Sequence, residues 1–390
     1  MKKLTMLVAG VMLLAFVGCS SSSSSSKKKD DDDNGNGADP IVTGEVLSGV
    51  LYAPNGSTPI PNATVYIPSS GSTSSLAARQ AATCPEPTEA WVAWTCTDEE
   101  GSYELTVPAD YAQTGEEVTI KATKDAWSVQ TTLVIGQSAD MVFSATVAEG
   151  AANIAVIQGA YDSIENVLAK LGLGEVNDVG QLVTGTQTFD LYASNAASEL
   201  FEEVTPGVYK IDEYDIVYVN CGASSAGVNN EVLRDYVAQG GRLYATDLAS
   251  PFVIQPFEEY VERIASGPGG AQPESEVVYA PLAKWLASVT CTDGACIAPD
   301  HGIFLTGFAG GWHLLNPVDS AQGATVTTLV QGDLEGIITL DEPIQPLTMR
   351  FFHGDGVVVY SSYHTVSGTT GTEYLPQERV LEYLFYNAKD

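Results

Sequence analysis

Basic residues are scarce in this sequence, which has 17 lysines and arginines against 49 aspartates and glutamates and a formal net charge of −32. The first 39 residues add nothing to that charge, because five lysines there balance five aspartates, so the rest of the chain carries all of it. A surface this acidic repels phosphates, which argues against nucleic acid as a partner. We expect it to keep the protein soluble in a saline or extracellular medium, or to attract divalent cations.

The sequence also lacks the short motifs that mark several enzyme classes. It contains no phosphate-binding loop, no G-x-G-x-x-G after a predicted strand and no G-x-S-x-G. These absences argue against nucleotide-dependent and dinucleotide-dependent enzymes and against serine hydrolases. The four histidines show no pair at the spacing of a helical metal site. We therefore predict no cofactor and no metal, with calcium as the weak alternative.

The N-terminus predicts export. The apolar run Leu4 to Gly18 follows two lysines, which is typical of a signal peptide over residues 1–18, and it is too short to span a bilayer comfortably. The stretch Phe16-Val17-Gly18-Cys19 resembles the lipobox of bacterial lipoproteins, which implies lipidation at Cys19. Ser20, not aspartate, follows the cysteine, which by this resemblance implies the outer membrane of a Gram-negative bacterium. An ordinary secretory signal with a chance cysteine is the alternative.

Residues 19–39 are predicted to be a disordered tether, because serines, lysines and aspartates there bury no apolar surface. The acidic residues of the tether lack the alternating spacing of a calcium loop. A calcium-dependent adhesion module is therefore the weakest of the functions we consider.

The remaining cysteines fall into two close pairs and one single residue. Cys84 and Cys96 bracket one loop, Cys291 and Cys296 bracket another, and Cys221 stands alone. Since exported proteins form disulfides, we predict a bond within each pair. Metal binding is the alternative, but neither pair has the spacing or the nearby histidines of a zinc site.

Residues 40–149 contain short β-rich runs separated by turn residues, a pattern that predicts an all-β sandwich. The predicted strands cover residues 44–52, 63–67, 102–107, 117–123, 130–135 and 140–147. The stretches Pro59 to Val65 and Thr97 to Tyr103 resemble the carboxypeptidase regulatory-like family of prealbumin-like sandwiches, which implies a spacer or a binding module. An insertion from Ser69 to Trp94 departs from the minimal family pattern.

Residues 151–390 read as α/β, and Tyr214 to Ser250 is their clearest unit. Asp215 to Val219 is β-rich, apolar residues then recur at helical spacing from Val228 to Val237, and Arg242 to Thr246 resumes as a strand. A helix between two strands implies parallel pairing through a right-handed connection. Further strands are predicted at 153–158, 188–192, 326–330, 347–352 and 356–361, and helices at 162–171, 256–264, 282–289 and from Pro376 onward. We expect a flavodoxin-like doubly wound sheet.

The central unit together with Gly356 to His364 resembles the class I glutamine amidotransferase-like superfamily, including its trehalose-utilisation-type branch. The resemblance implies a nucleophilic cysteine on a tight elbow after a central strand, and a histidine followed two residues later by glutamate. Here the strand ends in Ala245-Thr246-Asp247 without a cysteine. His364 stands where the family's histidine would, but Val366 occupies the glutamate position.

Cys221, Asp247 and His364 are the candidate site residues, because each follows a predicted strand at the edge where ligands bind in open α/β sheets. They would form a hydrolytic or thiol-based site if they lay within hydrogen-bond reach. The alternative makes Cys221 a buried apolar residue, Asp247 a helix cap and His364 a strand-end residue. The leading hypothesis is therefore a lipid-anchored envelope protein that binds a protein or glycan ligand without catalysis, and the second is a hydrolase using Cys221 or Asp247 with His364.

Overall fold

The structure is a computed structural model, and it describes residues 44–69, 84–111, 113–318, 325–365 and 371–390. Ile41–Asp390 forms one compact unit. The predicted signal peptide, Cys19, the tether and Val366 lie outside the described residues. In the described part of the chain, every helix is too short or too polar to cross a membrane.

The N-terminal part is all-β, as predicted. Its strands are β1 Gly44–Tyr52, β2 Thr64–Pro68, β3 Trp91–Cys96, β4 Ser102–Pro108, β5 Glu117–Lys124, β6 Trp127–Val134 and β7 Met141–Val142. They form a three-stranded sheet in the order β4-β1-β7 and a four-stranded sheet in the order β3-β2-β5-β6. Inward residues alternate with outward ones, as on β5, where Val118, Ile120 and Ala122 are buried. Leu47 and Leu105 of the smaller sheet share one core with them.

In this part, one strand was not predicted and one predicted strand is shorter than expected. The insertion from Ser69 to Trp94 ends inside strand β3, which starts at Trp91 and pairs with β2 because Trp91, Val92 and Ala93 bury their side chains. The strand predicted over 140–147 stops at Val142. Beyond it, the Glu149 carboxylate accepts hydrogen bonds from the Ser144 and Thr146 hydroxyls, so local side-chain bonds replace the ladder.

The C-terminal part contains strands and helices in alternation. Its strands are β8 Ile154–Ile157, β9 Asp190–Tyr192, β10 Glu203–Thr205, β11 Val208–Tyr209, β12 Ile216–Val219, β13 Arg242–Thr246, β14 Val261–Gly267, β15 Glu274–Val277, β16 Thr290–Cys291, β17 Gly294–Ala295, β18 Gly302–Ile303, β19 Trp312–Pro317, β20 Val326–Asp333, β21 Ile344–His353 and β22 Gly356–Ser361. Its helices are α1 Ile164–Leu168, extended by a π-type turn over Ala169–Leu173, α2 Asn230–Ala238, α3 Pro251–Ile254, α4 Ala280–Ser288 and α5 Pro376–Asn387.

The main sheet runs β18-β15-β20-β21-β22-β13-β12-β8-β9. The five strands from β22 to β9 are all parallel, and β21, β20, β15 and β18 extend the sheet by antiparallel pairing. Numbered along the chain, the parallel strands lie in the order 2-1-3-4-5, which is the order of flavodoxin-like sheets. The α/β prediction is thus confirmed, and the antiparallel extension was not anticipated.

Helices cover both faces of the parallel strands. On one face, Val232 and Val237 of α2 pack in a core with Val217 and Leu243 of the sheet. On the other face, Leu381 of α5 belongs to the core that holds alternate residues of the same strands. The N-terminal part packs outside α5, where the Trp127 ring lies 5.4 Å from that of Phe385 and 5.5 Å from that of Tyr386.

The helix predicted over 256–264 was wrong. Helix α3 ends at Ile254, two residues before Pro256, whose ring nitrogen has no N–H to donate to a helical carbonyl. Val261 then begins strand β14, whose antiparallel partner is β19. This pair lies next to the candidate site, because β19 carries His313.

Candidate functional site

Three neighbouring parallel strands bring the candidate residues together. Strand β13 lies between β12 and β22, with Ala245 paired to Val219 on one side and to Tyr360 on the other. Cys221 follows the end of β12, Asp247 follows β13 and His364 follows β22. Because parallel strands end at one edge of the sheet, the three side chains meet there. We call Cys221, Asp247 and His364 the sheet-edge cluster.

The distances within the sheet-edge cluster are short. The Cys221 thiol donates to Asp247 Oδ2 at 3.4 Å, and His364 Nε2 lies 3.0 Å from the same oxygen. One ligand atom from each of the three side chains lies within 4.8 Å of the other two. Cys221 and Asp247 have no exposed surface, and His364 is 7% exposed. The three side chains are therefore buried and lie within hydrogen-bonding distance of one carboxylate oxygen, which the sequence alone could not show.

His364 Nε2 is close to the carboxylate without being hydrogen-bonded to it. The separation of 3.0 Å is that of an ion pair, yet the buried Nε2 has no aligned hydrogen-bond partner. Both observations hold because a hydrogen bond requires direction as well as distance. The imidazole nitrogen thus faces the cluster with its bonding capacity unused.

Asp247 is held in an unusual backbone conformation. Its φ is +47°, in the left-handed region that non-glycine residues rarely adopt. The backbone N–H of His313 donates to its Oδ1 at 2.8 Å, and the Tyr360 hydroxyl donates to its carbonyl at 3.0 Å. These contacts fix the carboxylate so that Oδ2 points at Cys221 and His364.

The environment of Cys221 favours the thiol over the thiolate. Burial raises the pKa of Cys221 well above its ordinary value, and the nearby Asp247 carboxylate raises it further. A nucleophilic cysteine requires the opposite, a thiolate stabilised by positive charge or by a helix N-terminus. In this arrangement Cys221 is a hydrogen-bond donor and a weak nucleophile.

A second buried carboxylate, missed in the sequence analysis, supports the cluster. Asp162 accepts from the Thr246 hydroxyl at 2.9 Å and from the Thr365 backbone N–H at 3.0 Å, and Thr246 Oγ1 accepts from the Cys221 N–H at 3.0 Å. A signal was present, since Asp162 follows the first parallel strand at the same edge of the sheet. The backbone N–H of His313 carries no signal, because β19 reaches the site from a distant part of the chain.

The other cysteine predictions concern the two disulfides and Cys19. Cys84 and Cys96 form a disulfide, and so do Cys291 and Cys296, as predicted. Cys221 is the free cysteine in the part of the chain that the structure describes. The prediction for Cys19 falls outside the described residues.

Comparison with known proteins gives weak similarity only. No protein-family model matches the sequence, and no curated protein sequence matches it. Similar solved structures include a ThuA-like protein from Bacteroides uniformis, with 11% identity, a TM-score of 0.36 and coverage of 60% of this chain and 89% of that one. They also include a GMP synthase protein from Thermoplasma acidophilum, with 10% identity, a TM-score of 0.35 and coverage of 61% of this chain and 95% of that one.

A third similar structure is a glutamine amidotransferase from Thermotoga maritima, with 12% identity, a TM-score of 0.33 and coverage of 61% of this chain and 86% of that one. Values this low assign neither family nor activity, so the α/β fold rests on the strand order itself.

Proposed function

We propose that this protein is a lipid-anchored cell-envelope protein whose α/β domain is a degenerate relative of the class I glutamine amidotransferases and serves in binding or structure. One observation carries the proposal. The position of the family's nucleophile holds Asp247, which is fully buried, and the nearest thiol is buried and protonated against it. A hydrolase of this family needs an exposed thiolate, and this arrangement provides neither exposure nor thiolate.

The proposed lipid anchor rests on the lipobox-like stretch ending in Cys19. Delivery to the outer membrane rests on Ser20, which follows that cysteine. Labelled palmitate supplied to expressing cells should appear in the full chain and should be absent from a Cys19→Ala variant. Equal labelling of the two chains would contradict the anchor.

The N-terminal all-β part fits a carboxypeptidase regulatory-like β-sandwich acting as a spacer. Its two sheets share one core, and its residues pack directly on α5. A cleft of about 570 Å³ is lined by residues of both parts, among them Tyr52, Glu100, Thr290 and Arg379. We propose this cleft, whose lining residues do not include the sheet-edge cluster, as the place where a protein or glycan ligand of the envelope binds.

The non-catalytic half is tested by the reactivity of Cys221. In a Cys19→Ala chain, Cys221 is the thiol left outside the two disulfides. We expect iodoacetamide to label it only after denaturation, at every pH from 6 to about 9. Fast labelling of the folded chain at neutral pH that slows in His364→Ala would instead reveal an activated thiolate.

A second candidate function is a hydrolase that uses Asp247 with His364. It is favoured by the left-handed conformation of Asp247 at a strand end and by the 3.0 Å separation from the imidazole, which resemble a strained nucleophile elbow. Turnover of ester or amide substrates that disappears in both Asp247→Asn and His364→Gln would support it. Turnover unchanged in those variants would remove it.

A further inference from the structure

We propose that the sheet-edge cluster binds one divalent transition-metal ion of the zinc type through Cys221 Sγ, Asp247 Oδ2 and His364 Nε2. Thiolate, carboxylate and imidazole are the ligands that zinc takes in proteins. The thiolate disfavours calcium and magnesium, which prefer oxygen ligands. The proposal stands independently of the proposed function, since a metal would hold the sheet edge together whether or not the domain acts on a substrate.

The spacing of the three ligand atoms suits one shared ion. In a tetrahedral zinc site with bonds of 2.0 to 2.3 Å, neighbouring ligand atoms lie roughly 3.3 to 3.6 Å apart. Here Sγ and Nε2 lie 3.4 Å and 3.0 Å from the same Oδ2, and all three lie within 4.8 Å of one another. Sγ and Nε2, which lie within 4.8 Å of each other, would have to approach to roughly 3.5 Å, so binding an ion requires side-chain shifts of up to roughly 1.3 Å.

The buried imidazole provides an independent observation. His364 is more than nine-tenths buried, and its Nε2 faces the cluster without an aligned hydrogen bond. A buried polar atom without a partner is costly, and in native proteins such an atom calls for a bound ion, a bound water or a functional role. An imidazole nitrogen with a free lone pair is the commonest metal ligand among side chains.

The surroundings orient the ligands as the outer shell of a metal site does. The His313 N–H occupies Asp247 Oδ1 and leaves Oδ2 for the ion. The Cys221 backbone is held through Thr246, whose hydroxyl is in turn bound to Asp162. Outer partners of this kind fix ligand geometry in known sites.

The charge balance also favours an ion. Binding M²⁺ to neutral His364, the Asp247 carboxylate and the Cys221 thiolate gives a complex with no net charge, which is the state that a buried site tolerates. The thiol gives up its proton to solvent when the Sγ–metal bond forms. Binding should therefore release one proton and strengthen as the pH rises.

The test uses the full chain after removal of metal with a chelator. Cobalt(II) should bind to the unaltered chain at one ion per chain. The complex should show the intense near-ultraviolet absorption of a thiolate-to-cobalt charge transfer. Cys221→Ser should abolish this band, and His364→Gln should weaken zinc binding by at least about tenfold. Cys19→Ala and His301→Gln, the latter in an exposed turn, are matched controls and should bind as the unaltered chain does.

Zinc should also raise the melting temperature of the unaltered chain and of both controls, and at the same zinc concentration it should raise that of His364→Gln clearly less. Circular dichroism of the metal-free variants shows whether each is folded. A cobalt complex without the thiolate band would overturn the proposal, and so would equal zinc affinity in the unaltered chain, Cys221→Ser and His364→Gln. Both results would mean that the acidic surface alone holds the metal.

Discussion

Two clusters in this molecule bury charged side chains away from water, and they differ in how those charges are compensated. The interface cluster consists of Lys170, Glu378, Arg379, Glu382 and Thr58, and it lies where the N-terminal part meets α1 and α5. Glu378 and Glu382 are fully buried, as Asp247 is in the sheet-edge cluster. Both glutamates have pKa values raised by burial, an effect that Lys170 and Arg379 partly offset.

The difference lies in how completely each cluster is bonded. Lys170 Nζ reaches both oxygens of Glu378, at 2.9 and 3.0 Å, and Glu378 also accepts the Leu375 N–H. Glu382 accepts from Thr58 and from Arg379. In the sheet-edge cluster His364 Nε2 lacks such a bond. Charges whose hydrogen bonds are complete stabilise the joint between the two parts, whereas the open bonding position on His364 leaves room for a ligand.

The largest effect should come from breaking the interface cluster. Lys170→Met leaves the Glu378 carboxylate buried without its cation, and we expect a loss of about 3–5 kcal/mol in the free energy of unfolding. The double variant Lys170→Met, Glu378→Leu should recover most of that loss, because both charges are then absent. Urea unfolding of the three chains gives the values. A single variant that costs under about 1 kcal/mol would mean that the joint does not depend on this pair.

Zinc should stabilise a variant of the interface cluster more than a variant of the sheet-edge cluster. At free zinc 100 times above the dissociation constant, a site in the native state adds about 2.7 kcal/mol of stability. The Lys170→Met, Glu378→Leu chain should keep this gain, because its sheet-edge cluster is intact. His364→Gln should keep about 1.4 kcal/mol of it at most, because its site binds zinc at least about tenfold more weakly. A gain that vanishes in the interface variant as well would show that the two clusters are coupled.

Much of the fold was predictable, because the signals for its helices and strands lie within short stretches of the sequence. The strand Arg242–Thr246, the helix carrying Val232 and Val237 and the strand Gly356–Ser361 are signalled by apolar periodicity within a few residues. The strand from Val261 was mistaken for a helix, since its β14–β19 pairing joins segments about fifty residues apart. The candidate residues were found because strand ends are local signals. Their distances depend on the register of three strands, which the sequence does not encode locally.

The third prediction concerns pH. The folded-state pKa values of Glu378 and Glu382 lie above their ordinary value, so the folded chain binds protons more tightly than the unfolded chain does. Their contribution to stability is therefore largest at low pH and is lost as pH rises from the unfolded pKa through the folded one, by at most about 1.4 kcal/mol per pH unit for each group. The Lys170→Met, Glu378→Leu chain should show a shallower decline over that range, since one of the two groups is gone. Identical slopes would exclude Glu378 as a source.

The smallest effect should come from the sheet-edge cluster without metal. Because His364 Nε2 makes no aligned hydrogen bond, we expect metal-free His364→Gln to lose only about 1 kcal/mol or less, against the several lost in Lys170→Met. Urea unfolding in the presence of a chelator measures both. A loss in His364→Gln as large as that in Lys170→Met would mean that a protonated imidazole neutralises Asp247. The lone pair would then be occupied by a proton, and the difference between the two clusters, together with the metal site inferred from it, would disappear.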